Sequence, residues 1–177
     1  MTVTLIVCPL SQVEAVVSAR RPSHVISLLD PPCPIEPLAG YGPERHLRLG
    51  VYDITEARDG MTPPEEATVR SILDIGATWD HAQPLLVHCR AGVSRSTATA
   101  FILACERSPE IRERDIAFAL RQASRTAFPN PCIVALADDM LRRQGRMVDA
   151  ARSIGRGEAC WEGRPFDLPG RFQPPLL

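Results

Sequence analysis

The chain has 177 residues, 45% hydrophobic and 23% charged, with a formal net charge of −1. This composition predicts a globular domain with a substantial core, and the near-neutral charge argues against a protein that binds a nucleic-acid backbone or an anionic membrane. All 20 basic residues are arginines, so a phosphate group would have to be bound by arginine or by backbone N–H groups. No apolar run is long enough to span a membrane, and the first residues do not resemble a signal peptide. We therefore expect a soluble, cytoplasmic protein with reduced thiols.

Strands and helices alternate in the first half of the chain. A helix is expected over residues 11–20, opened by Ser11 as its N-cap, and a second over residues 64–79, with Pro64 and two glutamates in its first turn. The proline-dense segment 31–37 predicts a loop. Apolar runs predict strands over residues 2–8, 24–30 and 46–53.

The second half of the chain contains one short strand and then helices. Residues 85–87 form an apolar run typical of a buried strand, and apolar residues at helical spacing predict helices around residues 98–105, 116–123 and 133–141. We predict an α/β fold with a short, largely parallel twisted sheet flanked by helices. The domain is expected to span residues 1–154, and the Pro/Gly/Arg-rich tail 155–177 to pack on that same domain.

The segment LLVHCRAGVSRS (residues 85–96) combines a buried strand, a short loop and the start of a helix. Backbone N–H groups in such a loop and the helix dipole favour an anion. Gly92 allows a tight bend, and Arg95 can bind two phosphate oxygens at once. The same positive field stabilises the thiolate of Cys89, and the Ser96 hydroxyl is placed to donate to that sulfur. The segment therefore predicts a phosphate-binding loop around a nucleophilic cysteine.

The stretch HCRAGVSRS resembles the His-Cys-x5-Arg-Ser/Thr signature of the protein tyrosine phosphatase superfamily, most closely its small dual-specificity-type and bacterial members. The resemblance implies a phosphatase-type fold, with Cys89 as the nucleophile, Arg95 as the phosphate clamp and Ser96 as the thiolate partner. His88 would order the loop without touching the substrate. The implied phosphate-binding residues are Arg90, Ala91, Gly92, Val93, Ser94 and Arg95.

The resemblance also implies a general acid on a separate loop upstream of the signature. The stretch VYDITEARDGM offers Asp53 and Asp59. We prefer Asp53, because in similar proteins the acid comes immediately after the strand, and Asp59 remains the alternative. A Pro-Asn step at Pro129 and Asn130 adds looser similarity ahead of the last predicted helix.

The sequence predicts no cofactor and no metal site, because His24, His46 and His81 are scattered and have no ligands at metal-binding spacing. Cys105 falls on the apolar face of its helix, which favours core packing. Cys8 and Cys33 are candidates for a disulfide that traps Cys89, as happens in some relatives.

The leading hypothesis is a cysteine-dependent phosphomonoester hydrolase, with phosphotyrosine in proteins as the first choice of substrate, alone or with phosphoserine and phosphothreonine. A small phosphorylated metabolite or a phosphoinositide remains an alternative, although only Arg90 adds charge within the variable loop positions. A different class of function is a phosphotyrosine-binding module with weak or no catalysis. An arsenate reductase or a rhodanese-like transferase fits the position and pattern of the loop poorly. The sequence predicts no oligomeric state.

Overall fold

The structure is a computed structural model that describes residues 3–80 and 82–174. Its strands are β1 (Thr4–Pro9), β2 (His24–Leu29), β3 (His46–Gly50), β4 (Leu85–Cys89) and β5 (Phe166–Pro169). Its α-helices are α1 (Val13–Arg20), α2 (Glu66–Thr78), α3 (Arg95–Arg107), α4 (Glu113–Ala123), α5 (Pro131–Met140) and α6 (Arg146–Ser153).

The five strands form one sheet in the order β3-β2-β4-β1-β5. The pairs β2–β3, β2–β4 and β1–β4 are parallel, and β5 pairs antiparallel with the outer side of β1. This arrangement confirms the predicted α/β class with a largely parallel sheet. Because four strands run in one direction, their carboxyl ends meet at the same edge of the sheet, where open α/β folds place their ligands.

The core is divided unequally between the two faces of the sheet. The larger cluster joins alternate strand residues to α2 through α6, and it includes Phe101 and Ile72, both fully buried. The smaller cluster joins the other strand residues to α1, through Val13 and Val16. The predicted position of Cys105 in the core is confirmed, since it is fully buried in the larger cluster. Since successive side chains of a strand point to opposite faces, neighbouring residues such as His88 and Cys89 lie in different surroundings.

The first predicted helix and the third predicted strand differ from the structure. Ser11 does not cap α1, because it lies in a short 3-10 helix (Leu10–Gln12) and its hydroxyl donates to the carboxylate of Glu162 at 3.0 Å. The strand predicted over 46–53 ends at Gly50, so Asp53 stands in the following loop.

The predicted boundaries of the next elements are also corrected. Helix α2 begins at Glu66, and Pro64 precedes it rather than occupying its first turn. The strand predicted over 85–87 continues to Cys89 because its hydrogen bonding with both neighbours extends that far. Helix α6 and strand β5 were not predicted. Residue Thr2 of the first predicted strand, His81, and residues 175–177 of the tail lie outside the described residues.

Among residues 3–80 and 82–174, no helix combines the length and apolar character needed to cross a membrane.

Candidate active site

A cleft of about 640 Å³ opens at the carboxyl edge of the sheet. Its floor is the segment that follows β4, and it brings together residues that are far apart in the sequence. The predicted site residues that line it are Asp53, Cys89, Arg90, Ala91, Val93, Ser94 and Arg95. Its volume is in the range of small-molecule and side-chain pockets.

The loop between β4 and α3 has its carbonyl groups bound by neighbouring segments. Leu10 N–H donates to the carbonyl of Arg90 (3.1 Å), Gly163 N–H to that of Ala91 (2.8 Å), Phe128 N–H to that of Val93 (2.9 Å) and Asn130 N–H to that of Ser94 (3.2 Å). The backbone N–H groups of residues 91–94 donate to no other part of the described chain. The loop therefore offers a set of unpaired donors, as an anion-binding nest requires.

Gly92 has a structural role in this loop. Its φ of +69° is in the left-handed region, and a Cβ built there would lie 2.7 Å from the nitrogen of Pro9 and 2.9 Å from the carbonyl carbon of Cys8. Only glycine allows the loop to approach β1 this closely. Gly92 is buried and is not among the residues that line the cleft, so its predicted contact with phosphate stays a prediction.

Cys89 is the last residue of β4 and is 2% exposed at the floor of the cleft. Its sulfur lies 3.1 Å from Oγ of the fully buried Ser96, in the first turn of α3. Helix α3 begins at Arg95, so the positive end of its dipole lies beside the sulfur and favours a negative charge there. The predicted pairing of cysteine and serine is thus present as a contact.

The guanidinium of Arg95 is buried and held on one side only. Its Nη1 donates to Oδ1 of Asp30 (2.9 Å) and to the carbonyl oxygen of Val51 (2.7 Å). Its Nε is buried without a partner, and Nη2 makes no hydrogen bond within the described chain. The free edge formed by Nε and Nη2 matches the two-oxygen geometry of a phosphate.

The two aspartates considered as general acid lie in different positions. Oδ1 of Asp53 accepts hydrogen bonds from Ser94 Oγ (2.6 Å) and from Asn130 Nδ2 (2.9 Å), which hold the carboxylate at the rim of the cleft. Asp59 is exposed in the turn closed by the bridge between Arg58 and Met61, and it does not line the cleft.

His88 belongs to a buried chain of hydrogen bonds behind the loop. Oγ of Ser27 lies 2.6 Å from Nε2 of His88 and 2.8 Å from Nε2 of His46, and the N–H of Leu38 donates to Nδ1 of His46. Because Nδ1 of His46 accepts, its Nε2 carries the proton and donates to Ser27, which in turn donates to His88. Burial lowers the pKa of His88 to about 4 and also lowers the pKa of His46, so both rings are neutral near pH 7.

The cysteines near the site differ in how they could meet Cys89. Cys8 belongs to the smaller core cluster, on the face of the sheet opposite to that of Cys89, and burial raises its pKa to about 12. The sulfur of Cys33 lies 3.8 Å from Nη2 of Arg90. Cys160, from the tail, is exposed and lines the cleft itself. Disulfide trapping by Cys8 or Cys33 stays a prediction, and Cys160 is a further cleft-lining cysteine that the sequence did not single out.

Sequence reasoning also missed residues that tertiary structure brings to the cleft. Asp30 follows β2 at the carboxyl edge of the sheet, and that position in a parallel sheet was the available signal. Asn130 was noted as part of a Pro-Asn step, but its hydrogen bond to Asp53 had no signal in the sequence. Arg156, from the tail, lines the cleft. The tail contains several arginines and no motif, so the sequence gave no reason to single out this one.

Across residues 3–80 and 82–174, no group of three or more His, Cys, Asp or Glu side chains is arranged to hold a metal ion.

Comparisons with known proteins gave matches among solved structures alone. No protein-family model and no curated protein matches the chain. The crystal structure of DUSP15 aligns with a TM-score of 0.60 and 20% identity, covering 85% of this chain and 89% of that one. The Cydia pomonella PTP-2 phosphatase aligns with a TM-score of 0.52 and 20% identity, covering 76% and 84%. PTPMT1 aligns with a TM-score of 0.52 and 14% identity, covering 80% and 94%.

These three proteins belong to the protein tyrosine phosphatase superfamily. The alignments cover at least three quarters of each chain. The chain therefore has the fold of the protein tyrosine phosphatase superfamily.

Proposed function

We propose that the chain is a phosphomonoester hydrolase that acts on phosphotyrosine in proteins through a phosphocysteine intermediate. One observation carries this proposal: the loop and helix start that follow the buried Cys89 contain donors with no partner within the described chain. They are the backbone N–H groups of residues 91–94 and the Nε and Nη2 groups of Arg95. Unpaired donors of this kind are costly unless an anion satisfies them, and they are suited to the spread charge of a transferring phosphoryl group.

In the first step, the thiolate of Cys89 attacks the phosphorus in line with the ester oxygen. The S–P bond forms as the P–O bond breaks, and Asp53 gives its proton to the departing phenolate oxygen. Arg95 and the loop N–H groups bind the three equatorial oxygens, on which the charge is spread in the transition state.

In the second step, water hydrolyses the phosphocysteine. The carboxylate of Asp53 takes a proton from the water as its oxygen bonds to phosphorus, and the S–P bond breaks to release inorganic phosphate. The sulfur leaves as a thiolate, and the Ser96 hydroxyl, 3.1 Å away, donates a hydrogen bond that stabilises it.

Phosphotyrosine is favoured over shorter phosphoesters by the depth of the nucleophile. Cys89 is 2% exposed, so the phosphate has to pass below the rim, and the long phenol side chain can reach it while the peptide stays outside. The aromatic ring of Phe128 and the side chain of Ile54 line the same cleft and offer apolar surface for the phenol.

The position of Asp53 favours an enzyme over a binding module. A protein that only holds phosphotyrosine has no use for a carboxyl group fixed at the rim by two hydrogen bonds. A carboxylate near a phosphate dianion weakens binding unless it is protonated, as a general acid is.

The first test is hydrolysis of p-nitrophenyl phosphate in the presence of EDTA by the wild-type protein and by Cys89→Ser. We expect turnover by the wild type and none by the variant, because the hydroxyl is a far weaker nucleophile than the thiolate. Turnover retained by Cys89→Ser would overturn the mechanism. No turnover by either protein, with phosphotyrosine still bound, would replace the enzyme with a binding module.

The second test compares phosphotyrosine, phosphoserine and phosphothreonine peptides of the same sequence. We expect kcat/KM to be highest for phosphotyrosine because of the depth of Cys89. Equal rates on all three peptides would show that depth does not select the substrate.

A further inference from the structure

The tail forms one wall of the catalytic cleft. Arg156 and Cys160 line the cleft that contains Cys89. The tail around them is held by two backbone hydrogen bonds, since Glu158 N–H donates to the carbonyl of Arg125 (2.9 Å) and Gly163 N–H to that of Ala91 in the signature loop (2.8 Å). The wall is therefore a fixed part of the site.

The backbone on either side of Arg156 is held in place. Arg121 Nη2 donates to the carbonyl oxygens of Ile154 (3.2 Å) and Gly155 (3.1 Å). Gly157 has a φ of +75°, and a Cβ there would lie 2.7 Å from the carbonyl oxygen of Arg125, so the chain passes too close for any side chain. These contacts therefore fix the backbone position of Arg156.

The guanidinium of Arg156 lies 5.4 Å from the centre of the Phe128 ring. A stacked guanidinium uses its face for the cation–π contact and keeps its N–H donors at the edge. Those donors make no hydrogen bond or ion pair within the described chain. The nearby acids of the tail are engaged elsewhere, Glu158 with Arg125 and Glu162 with Ser11.

The cleft holds more positive charge than one phosphate requires. Within the described residues, its charged lining consists of Arg58, Arg90, Arg95, Arg156 and the single acid Asp53. A phosphate bound by the loop and Arg95 leaves Arg58 and Arg156 without a negative charge facing them. A ligand that carries a second negative charge would therefore bind more favourably in this cleft.

A second cavity of about 400 Å³ adjoins the cleft, and the two share Arg90 and Ala91. The second cavity is bordered by Leu10 and by Trp161, whose side chain is 96% exposed. A binding surface that continues past the catalytic cleft fits an extended peptide better than a compact phosphorylated ring.

We propose that Arg156, assisted by Arg58, forms a second anion-binding subsite that selects phosphotyrosine peptides carrying an acidic or phosphorylated residue beside the phosphotyrosine. The inference rests on the proposed function, in which phosphotyrosine is the substrate, and it gives the tail a role in substrate specificity.

The test measures binding in the Cys89→Ser background, so that it does not depend on turnover. The probes are two phosphotyrosine peptides that differ only in their flanking residues, which are acidic in one and alanine in the other. We expect the acidic peptide to bind about tenfold more tightly. Arg156→Ala should reduce that ratio to near one, Arg156→Glu should reverse it, and the ratio should shrink in high salt because the contact is electrostatic.

Arg164→Ala is the matched control, since Arg164 is an exposed arginine of the same tail that does not line the cleft. Its peptide ratio should equal that of the parent protein. An unchanged ratio in Arg156→Ala and Arg156→Glu, or an equal loss in Arg164→Ala, would overturn the proposal. Tighter, Arg156-dependent binding of a soluble inositol polyphosphate than of either peptide would overturn the assignment to peptides.

Hydrolysis of p-nitrophenyl phosphate by the otherwise unchanged protein is measured in parallel. Its absence together with the expected peptide ratio would overturn the catalytic proposal and leave the subsite standing. Hydrolysis together with a peptide ratio of one in the parent protein would support the catalytic proposal and overturn the subsite.

Discussion

The described chain binds only one of the two carboxylate oxygens of Asp53, a residue that lines the cleft. Oδ1 accepts from Ser94 and Asn130, and Oδ2 makes no hydrogen bond within the described chain. Ser94 is one of the predicted phosphate-binding residues, yet its hydroxyl is used to hold the acid. The signature loop thus contributes to positioning the carboxylate that we propose as the proton donor.

The choice between the two aspartates is tested by Asp53→Asn and Asp59→Asn. We expect Asp53→Asn to lower kcat on a phosphotyrosine peptide by about 10²-fold or more, since an amide can neither protonate the phenolate nor activate water. Asp59→Asn serves as the control and should retain nearly full activity, because its side chain does not line the cleft. The opposite pattern would move the acid to Asp59.

The buried pair of histidines behind the loop makes stability depend on pH. An unfolded histidine binds its proton below about pH 6.5. In the folded protein His88 becomes protonated only near its lowered pKa of about 4, because burial disfavours the charged ring. Between these values the unfolded state binds more protons, so stability falls as the pH falls. His46 and His24, whose pKa values burial also lowers, act in the same direction.

The contribution of His88 is measured with His88→Asn. Urea denaturation of both proteins at about pH 7 and about pH 5 should show that the wild type loses about 2 kcal/mol more than the variant over this interval. The comparison uses the change with pH rather than the absolute stability, because the substitution also removes the hydrogen bond to Ser27. Equal losses in both proteins would mean that His88 titrates normally.

At the scale of the elements, the start of α5 is linked by a hydrogen bond to the proposed general acid. Oδ1 of Asn130 accepts from the N–H groups of Cys132 (3.0 Å) and Ile133 (3.1 Å) and so caps the helix, while Nδ2 of the same side chain donates to Asp53. Pro131 at the first helical position supports the same helix start. One buried amide therefore caps a helix and holds the carboxylate of Asp53, the proposed general acid.

The two roles of Asn130 are separated by Asn130→Ala and Asn130→Ser. The alanine variant should lose about 1 kcal/mol of unfolding free energy with the cap and about tenfold in kcat with the contact to Asp53. The serine variant keeps a capping oxygen but cannot reach Asp53, so it should lose activity while retaining most of its stability. Thermal melts and peptide hydrolysis give the two readouts, and equal activity of Asn130→Ser and wild type would remove Asn130 from the positioning of the acid.

Elements with a clear apolar pattern could be predicted from the sequence, whereas α6 and β5 could not. Strands β1 to β4 and helices α1 to α5 follow apolar patterns, but α6 has eight residues and buries only Met147 and Ala150. Strand β5 has four residues, of which only Leu168 is fully buried, and it forms by pairing with β1 at the far end of the chain. Helix α6 packs on α4 and strand β5 pairs with β1, and these contacts are not specified by a local apolar pattern.

The same distinction applies to the site. The loop from Cys89 to Ser96 is contiguous, so a phosphate-binding loop could be predicted there from spacing and residue type. The contact of Arg95 with Asp30 joins residues 65 positions apart, and the approach of Arg156 to the cleft depends on a tail that has no motif. Such contacts follow from strand order and from side-chain anchors such as Arg121, which local sequence does not encode.

At the scale of the whole molecule, the tail contacts the rest of the chain both in the core and at the candidate active site. Strand β5 extends the sheet, and Leu168 is fully buried in the larger core cluster. Arg20 and Asp167 form an exposed ion pair between α1 and β5 (2.9 Å). Farther along the tail, the N–H of Phe172 donates to Oγ of the buried Ser108. These contacts favour the prediction that the tail and residues 1–154 form one cooperative domain.

That prediction is tested by Leu168→Ala, with Asp167→Ala as the neighbouring control. Truncating a fully buried leucine should lower the unfolding free energy by about 2–4 kcal/mol, whereas loss of the exposed ion pair should cost less than about 1 kcal/mol. If the tail is part of the domain, the whole loss appears as a shift of a single urea transition, followed both by far-UV circular dichroism and by the fluorescence of the buried Trp79. Because the tail also forms the wall that carries Arg156, Leu168→Ala should lose catalytic activity only at urea concentrations where the core unfolds. A tail that melts separately, with the main transition unchanged, would make residues 155–177 an appendage and the cleft wall an independently mobile part.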